Sequence, residues 1–175
     1  MTVGDAPQVG RGGSTKEFAP VTIPGAPKIR KVVPGTSSAA VVTETEGHMY
    51  SWGSYYKTGH GKTSNTNKPE LVTALRGIKV VDAAMTESLT LVASSEGRMY
   101  TFGSSMVGAE NHSSNENKKP VRVKLKGYHV LAVAAASGAF ACLAVPRTKG
   151  EWGVCACCVV YVLCSPCMCG DRRRR

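Results

Sequence analysis

Short apolar runs separated by turn residues set the pattern of this chain. From residue 31 onward the runs are rich in valine, alanine, threonine and aromatics, and each is bounded by glycine, serine, asparagine or proline, as in half-buried strands. Residues 31–33, 39–43 and 48–52 are predicted as three strands. The turn Glu44-Thr45-Glu46-Gly47 puts a glycine where a hairpin needs a residue tolerant of positive φ, and Gly97 repeats that choice.

The pattern is periodic. EGHMYSWGS at residues 46–54 returns as EGRMYTFGS at residues 96–104, with six of nine positions identical and Trp52 replaced by another large ring, Phe102. Residues 79–104 superpose on residues 29–54 at a spacing of fifty, which sets Val80 on Arg30, Ser88 on Ser38 and Val92 on Val42. A third copy starts at Gly127, matching Gly77, and sets Val130 on Val80 and Phe140 on Thr90. Trp152-Gly153 supplies the aromatic-glycine step once more, and there the pattern stops. A period near fifty in a strand-rich chain points to a propeller or another repeat array, in which no unit shelters its own apolar face.

The ends differ from this body. Residues 1–30 hold three proline breaks (Pro20, Pro24, Pro27) and a glycine cluster; QVGRGGS at residues 8–14 parallels KTGHGKTS at residues 57–64, so the chain is expected to enter in mid-repeat. Three regions follow: a partial repeat with loop over 1–30, repeats over 31–153 (about 31–78, 79–128 and a partial 129–153), and a cysteine-rich tail over 154–175.

Length and charge narrow the reading. A chain of 175 residues needs only one domain. Of the net charge of +10, four units come from Arg172, Arg173, Arg174 and Arg175, leaving about +6 for the body, which is the excess of an ordinary solvated basic surface. The first residues have no apolar core after a basic start, so no secretory signal is read, and Gly4 is not at the position for N-myristoylation. The expected setting is intracellular and reducing, in cytoplasm or nucleus.

The assembled residues resemble the regulator of chromosome condensation repeat family. The resemblance rests on Val32-Val33-Pro34-Gly35 and Val81-Asp82-Ala83-Ala84, the Glu-Gly turn, Met49-Tyr50-Ser51-Trp52-Gly53, the Gly59-His60-Gly61 loop, and Pro69, Val72 and Leu75. It covers roughly residues 8–153. The copies are degenerate: the family's turn glycine is Gly35 but then Met85 and Ala135, and its histidine place holds Ser38, Ser88 and Gly138. The resemblance implies an all-β fold, an incomplete β-propeller arc of about two to three blades built from four-stranded antiparallel sheets. In it Gly47, Tyr50, Trp52, Gly53, Gly97, Tyr100, Phe102 and Gly103 hold structural places. Such an arc is expected to be a fragment, a divergent product, or a ring completed by other chains or missing blades. Family members act as guanine-nucleotide exchange factors for small GTPases, bind chromatin, or regulate ubiquitin ligases, so the resemblance implies a protein partner without naming it.

Candidate chemistry is sparse. GHGKTS at residues 59–64 has lysine and hydroxyl as a phosphate loop would, but the glycine required five positions before Gly61 is Tyr56. His48, His60, His112 and His129 occupy unrelated repeat positions, and no nucleophile or acid–base pair is read, so a non-catalytic protein without cofactor is expected. Asn111-His112-Ser113 fits a glycosylation acceptor that an intracellular chain would not use. The rings of Tyr50, Trp52, Tyr100 and Phe102 are expected in the core rather than on bases. Seven cysteines include the isolated Cys142 and six in the tail; Cys155, Cys157, Cys164 and Cys167 form the alternative set for zinc, with only Cys164-x-x-Cys167 at a fitting spacing. The uncharged stretch 154–170 ahead of the arginines is the alternative for membrane association through S-acylation, though Pro166 interrupts it and it is short for a span. A degenerate end is the third reading. The arginine run is expected to be a solvated tail.

Overall fold

The computed structural model describes residues 20–104, 117–136, 139–146 and 159–164. Among the described residues eleven strands form three antiparallel sheets. The first holds β1 (Ile29–Pro34), β2 (Ser38–Thr43), β3 (Met49–Gly53) and β4 (Thr66–Leu71) in chain order; the second repeats this with β5 (Val80–Met85), β6 (Leu89–Ser94), β7 (Met99–Gly103) and β8 (Asn117–Val123). The third holds β9 (Tyr128–Ala136), β10 (Ala139–Pro146) and β11 (Val159–Cys164), with β10 in the middle. One-turn 3-10 helices at Tyr55–Lys57 and Thr73–Leu75 flank β4. These are consecutive blades of a β-propeller arc, and β1, β5 and β9 lie innermost.

Two cores lie between blades rather than within them. Val33, Ala40, Val42 and Met49 of the first blade meet Val80, Ala83, Val92 and Phe102 of the second; on its other side, the second blade sets Leu89, Leu91, Ala93 and Met99 against Val130, Val133, Phe140 and Cys142. A blade covered on both faces cannot alternate apolar with polar, and β6, Leu-Thr-Leu-Val-Ala-Ser, is buried at every position. Alternation fails there because both faces are inside.

The register departs from a uniform spacing of fifty. Six residues separate the paired Val42 and Met49, and five separate Ala93 and Met99, so the turn in the second blade is one residue shorter. Spacing is therefore fifty between β3 and β7 but fifty-one between β1–β2 and β5–β6: the backbone carbonyls of Ser37 and Ser88 accept the backbone N–H of Ser54 and Ser104, each at 2.9 Å. Ala93 accordingly stands in the place of Val42, correcting the expected match of Val92 to Val42. The reason is the two-residue side-chain period of a strand: a slip of one moves a side chain to the opposite face. Val42 and Val92 in fact meet across the first seam from opposite blades.

The third blade also differs from expectation. Its third strand is β11, within the tail expected to lie outside the repeats, and Cys142 pairs with Tyr161 and Phe140 with Leu163. The run Val-Val-Tyr-Val-Leu is β-branched and aromatic, and suits a strand flanked by a partner. Trp152-Gly153, expected at this step, lies outside the described residues.

Candidate functional site

Each blade is locked to the next through a hairpin tip. The Gly47 carbonyl accepts the Val80 N–H and the Gly97 carbonyl accepts the Val130 N–H, each at 3.0 Å. A Cβ on Gly47 would stand 2.7 Å from the Val80 carbonyl oxygen, and one on Gly97 2.3 Å from the His129 ring. The sequence read these glycines as turn formers; contact with the neighbouring blade is a second demand. Gly53 and Gly103 close the aromatic strands at φ +109° and +137°, and added Cβ atoms there would lie 2.4 Å from the Ser37 and 2.2 Å from the Ser88 carbonyl oxygens. Trp52 and Phe102 are buried just before them, with Tyr50 half-buried and Tyr100 buried.

Asp82 joins three blades. Its Oδ1 pairs with the Lys31 ammonium of β1 and accepts its neighbour Ala83's N–H, and its Oδ2 accepts the Val133 N–H of β9 at 2.8 Å. Sequence reasoning quoted Asp82 only as part of a hydrophobic step. A carboxylate inside an apolar run was the available signal.

The loop after β3 clasps the first two blades. Thr90 Oγ1 donates to the Lys57 carbonyl at 2.9 Å, and Gly61 N–H donates to the Lys118 carbonyl of β8 at 2.8 Å. Lys118 Nζ lies 5.1 Å from the Tyr55 ring centroid, and Lys62 pairs with Glu70 at 2.5 Å. The lysine and glycines that suggested a phosphate loop are thus engaged within the protein. Beneath them the Ser51 hydroxyl donates to the Thr58 carbonyl at 2.6 Å, with His60 Nε2 at 3.1 Å from that hydroxyl and 3.2 Å from the Ser51 carbonyl. A serine whose proton goes to a carbonyl is a strut, not an activated nucleophile. Burial lowers the His60 pKa from its ordinary 6.5, against the Ser51 hydrogen bond and the Glu70 charge that raise it.

Lys57 is wholly buried, and its ammonium has no hydrogen-bond acceptor; the Tyr56 ring centroid lies 5.5 Å away. Desolvation lowers its pKa from 10.5, with Glu87 opposing.

Two surface features remain. A cleft of about 240 Å³ opens where the inner turns converge, lined by Gly35, Thr36, Met85, Thr86, Glu87 and Ala136 among others. Along the outer edge of the second blade, Arg122, Lys124 and Lys126 are exposed while Val123 is buried and Leu125 packs against the second core. Residues 117–128 contain no acid.

Among the described residues no group of three His, Cys, Asp or Glu side chains is placed to hold a metal ion, and no helix is long and apolar enough to cross a membrane. Cys155, Cys157 and Cys167 of the zinc alternative, the glycosylation triplet and the arginine run lie outside the described residues; Cys164 ends β11. Cys142 is buried in the second core, which raises its thiol pKa.

Residues 46–93 match the family profile of the regulator of chromosome condensation (RCC1) repeat. The human E3 ubiquitin-protein ligase HERC2 is 40% identical over 52 residues, 29% of this chain and 1% of the relative, and the mouse protein matches equally. Among solved structures, human WBSCR16 superposes with a TM-score of 0.68 at 20% identity, covering 79% of this chain and 37% of its own. Prp20p from Saccharomyces cerevisiae gives 0.64 at 20% identity over 85% of this chain and 40% of that one. Yeast RCC1 (Prp20) bound to Kap60 gives 0.65 at 18% identity, over 84% and 38%. The chain thus spans about 1% of the curated relatives and less than half of each solved chain.

Proposed function

We propose that this chain is a non-catalytic protein-interaction module whose blades form a rigid scaffold and whose outer edge and loops meet a protein partner. The observation that carries this reading is the cationic edge of the second blade: Arg122 near the end of β8 and Lys124 and Lys126 just beyond it are exposed, while Val123 and Leu125 between them are held in the core. Three cations spaced along a segment anchored in the core by Val123 and Leu125 recognise an acidic surface with little loss of chain freedom on binding. The Ser51–His60 geometry supports the non-catalytic part, since the Ser51 hydroxyl donates to the Thr58 carbonyl rather than to the imidazole.

The partner class proposed is a small GTPase, with chromatin second, in cytoplasm or nucleus. Support comes from the likeness to Prp20p, whose structure was described with its binding to Gsp1p and histones. The test is titration of the purified chain with Gsp1p and, separately, with a reconstituted nucleosome, by biolayer interferometry at two salt concentrations. Salt-sensitive binding to the GTPase that weakens in a triple Arg122→Ser, Lys124→Ser, Lys126→Ser variant supports the reading. Absence of binding to both probes overturns the partner assignment.

A further inference from the structure

We propose that the second blade holds a site for one phosphate monoester, carried on a side chain of the protein partner, a ligand class that rests on the interaction role just proposed. Arg98, Arg122 and Lys126 line one cavity of about 150 Å³, with Val123, Leu125 and Gly127 among its other walls. The three cations come from separate stretches: Arg98 just before β7, Arg122 near the end of β8, and Lys126 in the turn that leads to β9. The first blade has no such cluster at the matching place. His48 stands where Arg98 does, each directly before the methionine that opens its strand. Leu71 stands where Arg122 does, since Leu71 pairs with Tyr50 and Arg122 with Tyr100. Arg76 before Gly77 matches Lys126 before Gly127. Between Val72 and Gly77 the chain has four residues and a 3-10 turn at Thr73–Leu75; between Val123 and Gly127 it has three residues and no such turn. The cavity lies on this shortened connection, and two of its three cations are particular to the second blade.

Size and charge select the ligand. Sites that enclose a whole small molecule run to about 300–1,000 Å³, so this one takes a single group whose bulk stays outside. Arg98 also pairs with Glu96 at 2.6 Å, whereas the ion pairs among the described residues do not engage Arg122 or Lys126. Three cations against that one carboxylate leave two positive charges, which matches the roughly −1.5 to −2 of a phosphate monoester at neutral pH. A carboxylate brings one charge and two oxygens. A phosphate brings three oxygens, enough for both guanidinium forks and the ammonium at once.

The experiment uses the full chain, labelled with nitrogen-15, and fluorescent peptides randomised on either side of a fixed phosphoserine, glutamate or serine, all at one ionic strength so that screening is equal. The phosphoserine pool is expected to bind about tenfold or more tightly than the glutamate pool and to shift the amide signals of Gly97 and Gly127, both at the cavity. Shifts confined to other parts of the chain overturn the site without any substitution being made. Arg98→His combined with Arg122→Leu installs the first blade's residues at exposed positions and is expected to abolish the preference for phosphoserine. Arg76→Gln, which removes the cation at the matching first-blade place, is expected to preserve it. Equal binding of the phosphoserine and glutamate pools, or a preference that survives the double variant, overturns the site. So does a response to inorganic phosphate without one to the phosphoserine pool, which marks an adventitious ion only. The two readings fail separately: a chain that binds Gsp1p but does not prefer phosphoserine keeps the interaction role and loses this site, whereas a phosphoserine preference without binding to Gsp1p or the nucleosome removes the partner assignment alone.

Discussion

The Lys31 ammonium and the Asp82 carboxylate form an ion pair between the innermost strands of the first two blades, fifty-one residues apart in the chain. The same carboxylate takes the Val133 N–H from the third blade. One side chain thereby connects every blade of the arc, and its partners are not equivalent. The Lys31 side chain is 38% exposed while that of Asp82 is 16% exposed, so the lysine can return to water more cheaply than the Val133 amide can find a new acceptor.

Asp82→Ala is expected to lower stability by about 2–4 kcal/mol, because it strands a backbone N–H and removes the lysine's counter-charge. Lys31→Met is expected to cost less than about 1 kcal/mol. Asp82→Asn, which keeps an acceptor for Val133, should fall between them. Urea unfolding of the three variants checks the order.

Gly53→Ala and Gly103→Ala are each expected to destabilise by about 3 kcal/mol or more, since the new Cβ would fall within 2.4 Å of a backbone carbonyl oxygen and the φ angle is left-handed. Gly77→Ala, with φ +78° and open space around it, should cost only about 1 kcal/mol. Thermal melts compare the two classes directly.

Lys57→Met is expected to stabilise the protein by about 1–3 kcal/mol, as it replaces a buried ammonium without acceptors by an apolar chain of similar length. In the parent the folded-state pKa lies below the ordinary 10.5, so the unfolded chain binds the proton more readily between those values. Stability should therefore rise with pH through that window, and the variant should lack the rise. Denaturant midpoints across the alkaline range measure it.

His60 carries the same sign at lower pH. Its pKa is below 6.5 in the folded protein, chiefly through burial, so lowering the pH from 6.5 through the folded value charges the unfolded chain first and reduces stability. His60→Gln is expected to flatten the melting temperature against pH in this range while lowering it overall through the altered bonds to Ser51.

How much of this was legible follows particular residues. The Met-Tyr-aromatic-Gly strands and the Glu-Gly turns could be read from the repeat alone, since strand periodicity and turn chemistry are local, whereas the antiparallel four-stranded sheets came from the family resemblance. The one-residue slip between Val42 and Val92 could not, because it arises from the length of a turn whose effect shows only in which face each side chain takes. Asp82 was hidden for a related reason: its partners sit on other blades, fifty-one residues away on either side.

The β11 strand and the unpaired Lys57 show the same division. Val159–Cys164 had the composition of a strand, but sequence could not say that β10 would pair with it rather than leave an isolated apolar tail. Nothing local marks Lys57 as buried, yet the fold leaves it fully covered. The sequence by itself determined what each blade is, because pleat, turn and aromatic position depend on near neighbours. Only the tertiary structure decided which groups face which across a seam, because burial, desolvation and charge pairing there are properties of two blades at once.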